Sequence, residues 1–209
     1  MNSGTAYITG SCVIRHNKVY VNGSLLWEAD QQLDISDFLR AGYDRFSGQY
    51  PKFHKMDPLS RLGWLAAEVL LKDTTVPLLP AEQVGIVLSN RSSSLDTDVR
   101  YFASVKEIAS PALFVYTLPN IVMGEISIRH GFKGENTFFV SDRFDTVLMS
   151  SYPAQLLNVT PLQACICGWV EVMEQSYEAV LFLVENKQHP GAQSLSEAAL
   201  RDLYQQNNS

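Results

Sequence analysis

Residues Pro111–Ser151 read "PALFVYTLPNIVMGEISIRHGFKGENTFFVSDRFDTVLMSS", and the order of elements in this stretch decides the fold. "NIVMGEISIRHGF" is read as a helix, "NTFFVS" as an apolar strand, and "FDTVLMSSYPAQLLN" as a second helix. Between strand and second helix lies the polar turn "SDRFD". Many enzymes hold a nucleophile in this way, at a helix N-terminus where the free backbone amides and the helix dipole stabilise an anion. The residue at that place here is Arg143.

Outward from this stretch, strands and helices alternate. "AYITGSCVI" is a strand, and "VYVNGSLLW" follows with Asn22-Gly23 as a turn signal between apolar pieces. "EADQQLDISDFLRAGYDRFSG" is read as a polar connector of amphipathic character. "DPLSRLGWLAAEVLLKD" is a helix, because Asp57 can cap it, Pro58 fits its first turn, and Leu62, Leu65, Ala66, Val69 and Leu70 recur at helical spacing. "VGIVLSN" is almost wholly apolar, as in a strand covered on both faces. "SSSLDTDVRYFASVKEI" reads as a loop and helix with Asp96 as cap, "ACICGWVEVM" and "EAVLFLVE" as strands, and "QSLSEAALRDLYQQNNS" as a short tail helix. Strands alternating with helices, several of them apolar throughout, predict an α/β layered fold in one domain over residues 1–209.

The composition excludes several classes. With 46% hydrophobic and 18% charged residues the chain is globular in character, and a net charge of −6 with scattered Lys and Arg argues against nucleic acid. No segment reaches the ~18 apolar residues of a spanning helix and no basic start precedes an apolar run, so a cytoplasmic protein is expected. Cys12, Cys165 and Cys167 are odd in number and lie in apolar, strand-like contexts, which suits reduced core thiols. Their spacing matches no zinc site, and no glycine pattern matches a P-loop or dinucleotide fingerprint, so neither metal nor cofactor is expected.

The run from Tyr116 to Asn136 resembles the segment that precedes the active-site cysteine of β-ketoacyl synthases. Pro119, Asn120, Gly124, Ile128, Arg129, Gly131, Lys133, Gly134 and Asn136 fit that family's pattern of Pro-Asn, Gly, Ile-Arg-x-Gly and Lys-Gly-x-Asn. The first strand, first long helix, second strand and last two strands are similar in order to those of the family's N-terminal half. The resemblance implies a thiolase-like half fold, with a five-stranded mixed sheet and helices on both faces.

Two departures bear on function. In the family the strand after Lys-Gly-x-Asn ends in a turn that carries the cysteine, and counting on from Asn136 that position falls on Arg143. A guanidinium stays protonated and cannot attack a thioester. The second departure is length, since the family's catalytic histidines and lysine belong to a C-terminal half; His16, His54, His130 and His189 do not match them, and the resemblance gives His130 a structural place. Asp142 and Asp145 are read as helix-start residues, with Arg143 pairing one of them.

Further expectations follow from the resemblance. The family dimerises by pairing the strand before the elbow with its copy, here Thr137, Phe138, Phe139, Val140 and Ser141. An apolar face of the following helix, with Val147, Leu148, Met149, Tyr152, Leu156 and Leu157, would lie open without a second half to cover it. The resemblance thus implies a ketosynthase-like accessory subunit without catalysis, bound to a full-length ketosynthase, to an acyl carrier protein or to itself, much as chain-length factors lack the cysteine. The rival is a hydrolase or decarboxylase of carrier-bound thioesters acting through Ser141 or the Ser92–Ser94 loop.

Overall fold

The computed structural model describes residues 5–46, 48–106 and 108–206. The chain begins with three antiparallel strands joined by tight turns. β1 (Tyr7–Arg15) turns through His16 and Asn17 into β2 (Lys18–Val21), and Asn22-Gly23 turns β2 into β3 (Ser24–Glu28). All four turn residues have positive φ, which Asn and Gly tolerate best.

The stretch read as a connector holds a helix, α1 (Ile35–Phe46). Its buried residues Ile35, Phe38, Leu39, Gly42 and Tyr43 fall at i, i+3, i+4, i+7 and i+8, an apolar stripe that packs it on the core. α2 (Pro58–Leu71) starts as expected, with Asp57 accepting the Ser60 N–H at 2.9 Å and Pro58 in the first turn. β4 (Val84–Asn90) is buried at every residue. α3 (Leu95–Val105), the single turn α4 (Pro111–Phe114) and α5 (Ile121–His130) follow, then β5 (Asn136–Val140), α6 (Thr146–Val159), β6 (Ala164–Met173), β7 (Ser176–Glu185), the short β8 (Gln193–Ser194) and α7 (Glu197–Gln205).

One correction concerns α3. Ser94, not Asp96, stands at its N-cap; Asp96 sits inside the first turn, where Oδ1 accepts the Glu174 N–H at 2.9 Å and Oδ2 lies 3.8 Å from Arg100. Its carboxylate ties the helix to the β6–β7 turn instead of closing the helix end.

The sheet is mixed, and among the described residues it has eight strands, not the five expected. The order is β3-β2-β1-β7-β6-β4-β5, with β8 on the start of β1. Five of these, β1, β7, β6, β4 and β5, are the expected set. The other three extend it because β2 keeps an antiparallel register with β1, from Cys12↔Val21 to Arg15↔Lys18, and β3 continues from β2. β6, β4 and β5 are parallel, and β7 joins β6 and β1 antiparallel.

Alternation along the strands divides the core. One face carries Ile86 and Leu88 of β4, Ile166 and Val170 of β6, and Leu181 and Leu183 of β7 against α1, α2 and α5. The other carries Val87, Cys165, Cys167, Trp169, Phe182 and Val184 against α6 and α7. In β1 a register shift between Ile8 and Gly10 moves Ile8 to the second face. Helices therefore cover both faces. Among the described residues no helix is long and apolar enough to cross a membrane.

α6 departs from the expectation of an open apolar face. Met149, Leu156 and Leu157 are buried, and Leu148 and Tyr152 partly so, against the sheet and α7. Its outward positions hold Ser151, Gln155 and Asn158, leaving Val147 as the exposed member of the expected set. α7, anchored by the fully buried Leu200, lies on the same side of the sheet and shares that core.

Candidate functional site

The Lys133-Gly134 turn sets the start of β5. Gly131 ends α5 with φ of 74°, and its N–H bonds to Ser127. The Lys133 N–H donates to the Ala81 carbonyl at 2.8 Å and the Gly134 N–H to the Val84 carbonyl at 3.2 Å. A Cβ at Gly134 would collide with that Val84 oxygen, so only glycine brings the chain this close to β4. Both glycines are thus structural turn formers.

A second tie orients α5. Arg129 of the Ile-Arg-x-Gly motif clamps Glu68 of α2 through Nε at 2.9 Å and Nη2 at 3.1 Å. His130 stacks on Phe132 with centroids 5.3 Å apart and places Nε2 3.0 Å from the same carboxylate, off line for a hydrogen bond. Burial works to raise the Glu68 pKa, and the His130 and Arg129 contacts outweigh it, bringing the group down to about 2. His130 has the structural place expected of it.

From there β5 delivers the elbow. The Ser141 N–H continues the ladder to the Asn90 carbonyl at 2.9 Å, and its Oγ donates to the carbonyl of Arg143 at 3.1 Å. Asp145 caps α6, accepting the Val147 and Leu148 N–H groups at 3.0 Å each. Asp142 is exposed and outside the helix start, so the helix-start role falls to Asp145 alone. Arg143 is exposed, and among the described residues it makes no ion pair, contrary to the pairing expected. Between them Phe144 is buried, stacked on Tyr204 of α7 at 4.6 Å.

Behind the elbow is a cavity of about 350 Å³. The sequence indicated two of its residues, Asp142 and Arg143; it gave no sign of the others. Arg15, at the end of β1, is 3% exposed, donates from Nη2 to Glu178 Oε1 at 2.9 Å, and lies 4.7 Å from the centre of the Tyr204 ring. Arg91 enters from the β4–α3 loop, whose backbone is pinned by Glu171: Oε2 accepts the N–H groups of Arg91 at 2.6 Å and Ser92 at 3.2 Å. His16, Trp169, Ser176 and Tyr177 also line it. Burial first, then the Glu178 carboxylate, pushes the Tyr204 phenol up.

The other candidates are committed elsewhere. Asn90 closes the serine loop on itself, bonding both the N–H and the carbonyl of Ser93, while Ser94 Oγ reaches Asp98 and the Thr117 carbonyl. All three cysteines are free and buried. Burial pushes the Cys12 and Cys165 thiols far up and Cys167 to about 12, so none is a thiolate.

β5 is the sheet edge, bonded to β4 alone. Thr137, Phe138 and Phe139 are half-buried, Phe138 toward the α5 face and Phe139 toward α6, and Val140 is 58% exposed. Since the Ser141 N–H faces Asn90, alternation turns the N–H groups of Phe138 and Val140 outward.

A family model described as "Beta-ketoacyl synthase, N-terminal domain" matches residues 33–182. Solved structures of similar fold include "The ishigamide ketosynthase/chain length factor", 19% identical with a TM-score of 0.67 over 91% of this chain and 64% of that one. AntDE:AntF, a type II PKS acyl-carrier protein in complex with its ketosynthase, is 16% identical with a TM-score of 0.65, covering 91% and 66%. The ketosynthase ApeO in complex with its chain length factor ApeC from Xenorhabdus doucetiae is 16% identical with a TM-score of 0.55, covering 87% and 79%. The chain spans less than two thirds of the length of the first two. No curated protein matches the sequence.

Proposed function

The chain belongs to the β-ketoacyl synthase family through its N-terminal domain, and from that premise we propose that it is a non-catalytic, ketosynthase-like accessory subunit. In this reading it serves a fatty acid, polyketide or aryl polyene type system, by binding a catalytic ketosynthase or an acyl carrier protein. The observation that carries the reading is the elbow. Counted from the Lys133-Gly134-x-Asn136 motif, the nucleophile's place falls on Arg143, whose guanidinium has no lone pair to offer a thioester. No thiol replaces it, because the three cysteines are buried and protonated.

The rival reading, thioester hydrolysis or decarboxylation through Ser141, lacks a base. Ser141 Oγ spends its proton on the Arg143 carbonyl, and among the described residues neither a histidine nor a carboxylate is bonded to it. A serine needs such a partner to attack.

β5 supplies the surface for a partner. Its outward N–H groups at Phe138 and Val140, with the exposed Val140 side chain, form an apolar edge ready for antiparallel pairing with another strand through residues Thr137 to Ser141. The solved complexes in which a ketosynthase is joined to a chain length factor support a heterodimer of this kind.

Catalysis is tested by incubating the protein with acyl- and malonyl-loaded carrier protein and reading its intact mass and the free acid released. The mass is expected to stay unchanged and no acid to accumulate. An acyl adduct, or turnover abolished by Ser141→Ala, would overturn the reading in favour of the rival.

A further inference from the structure

We propose that the cavity behind the elbow binds an oxyanion, the chemistry shared by a carboxylate and a phosphate ester, through Arg15, Arg91 and Arg143. Three elements far apart in sequence, β1, the β4–α3 loop and the elbow, converge to place these guanidiniums on one cavity of about 350 Å³. Arg15 gives the strongest indication. It is 3% exposed, yet Nε and Nη1 have no hydrogen-bond partner, and only Nη2 is used, by Glu178. A buried guanidinium with unmet donors is costly, and an oxygen-rich anion that accepts in pairs is the ligand that removes the cost.

Three carboxylates share the cavity and offset part of this charge. Glu178 is engaged with Arg15, and Glu171 Oε2 is engaged with the backbone N–H groups of Arg91 and Ser92. Asp142 stands exposed on the rim. Arg91 and Arg143 line the cavity, are exposed, and make no ion pair among the described residues. The second oxygen of Glu171 is buried and unpaired, which favours an anion carrying a hydroxyl or a protonated oxygen of its own. Phe144, Trp169 and Tyr204 line part of the site with rings, and charged hydrogen bonds gain strength where such low-dielectric walls screen less than bulk water.

The site is independent of the accessory-subunit reading, since it needs neither partner nor catalysis. Calorimetric titration of the full chain at low salt, with inorganic phosphate in one arm and malonate in the other, tests it. Saturable binding of at least one is expected, with phosphate alone pointing to a phosphate ester and malonate alone to a carboxylate. R91Q and R143Q alter exposed side chains, so folding is retained, as circular dichroism will show. Each is expected to weaken binding by about tenfold through loss of a charge-assisted hydrogen bond. The proposal is overturned if neither probe binds, or if the double variant binds as tightly as the natural protein.

Discussion

Replacing Glu68 by Gln should expose how much the Arg129 clamp contributes to holding α5 on α2. The carboxylate is held by a two-pronged bond from Arg129 at 2.9 and 3.1 Å, with His130 Nε2 at 3.0 Å, and is only 10% exposed. Its pKa stands at about 2 against an ordinary 4.5. At about 1.36 kcal/mol per unit, that depression sets an upper bound of roughly 3 kcal/mol of stability at pH 7, which solvent screening at a partly exposed ion pair reduces. The folded pKa is the lower one, so the contribution is present above pH 4.5 and is lost as pH falls toward 2. At pH 3 linkage leaves less than half of that bound, about 1.4 kcal/mol. Urea unfolding of the natural protein and of Glu68→Gln at both pH values reads the difference directly. Equal midpoints at pH 7, or a gap that fails to narrow at pH 3, would refute the reasoning.

Three other outcomes are expected. In the native protein none of Cys12, Cys165 and Cys167 should react with an aromatic disulfide at pH 8, and all three should react in denaturant; a thiol that labels within minutes while the chain is folded would contradict their burial. Gly134→Ala should cost about 1–3 kcal/mol in a urea melt, because its methyl meets the Val84 carbonyl and backbone must shift. Asp145→Ala removes both caps of α6 and should cost about 1 kcal/mol, whereas Asp142→Ala, outside the helix start, should leave the melt unchanged.

Local chemistry made much of the fold legible. Asp57 and Pro58 announce α2, and the unbroken apolar runs of β4, β6 and β7 announce strands covered on both faces. Gly131 and Gly134 mark turns that the backbone confirms by a positive φ and a close approach. α1 reads as a connector although its stripe of Ile35, Phe38, Leu39 and Tyr43 is at helical spacing, because Gly42 stands within the stripe and charged Asp37, Arg40 and Asp44 fill the opposite face. Asp96 was misplaced by two positions, since its partner, the Glu174 N–H, lies 78 positions away. The elbow cavity was illegible for the same reason. Arg15 and Glu178 are 163 residues apart, and nothing in "VIRHN" or "SYEAV" says that sheet pairing will bring them together beneath a tyrosine of α7.

The elbow is a strand, a tight turn and a capped helix, and in the accessory-subunit reading proposed above the side chain at the nucleophile's place is a cation. Asp145 consumes the first free amides of α6, which would otherwise stabilise an attacking anion. β5 beside it is a sheet edge bonded to β4 alone among the described residues.

Tagged protein isolated gently from its native host, beside a Val140→Pro variant, tests the central claim most directly. Val140 directs its N–H outward, so proline there removes a donor to a partner strand and leaves the β4 ladder intact. Recovery of a full-length ketosynthase or an acyl carrier protein in near-stoichiometric amount, with the ketosynthase lost in the variant, is the result predicted. Recovery of the chain alone as a stable homodimer would contradict it.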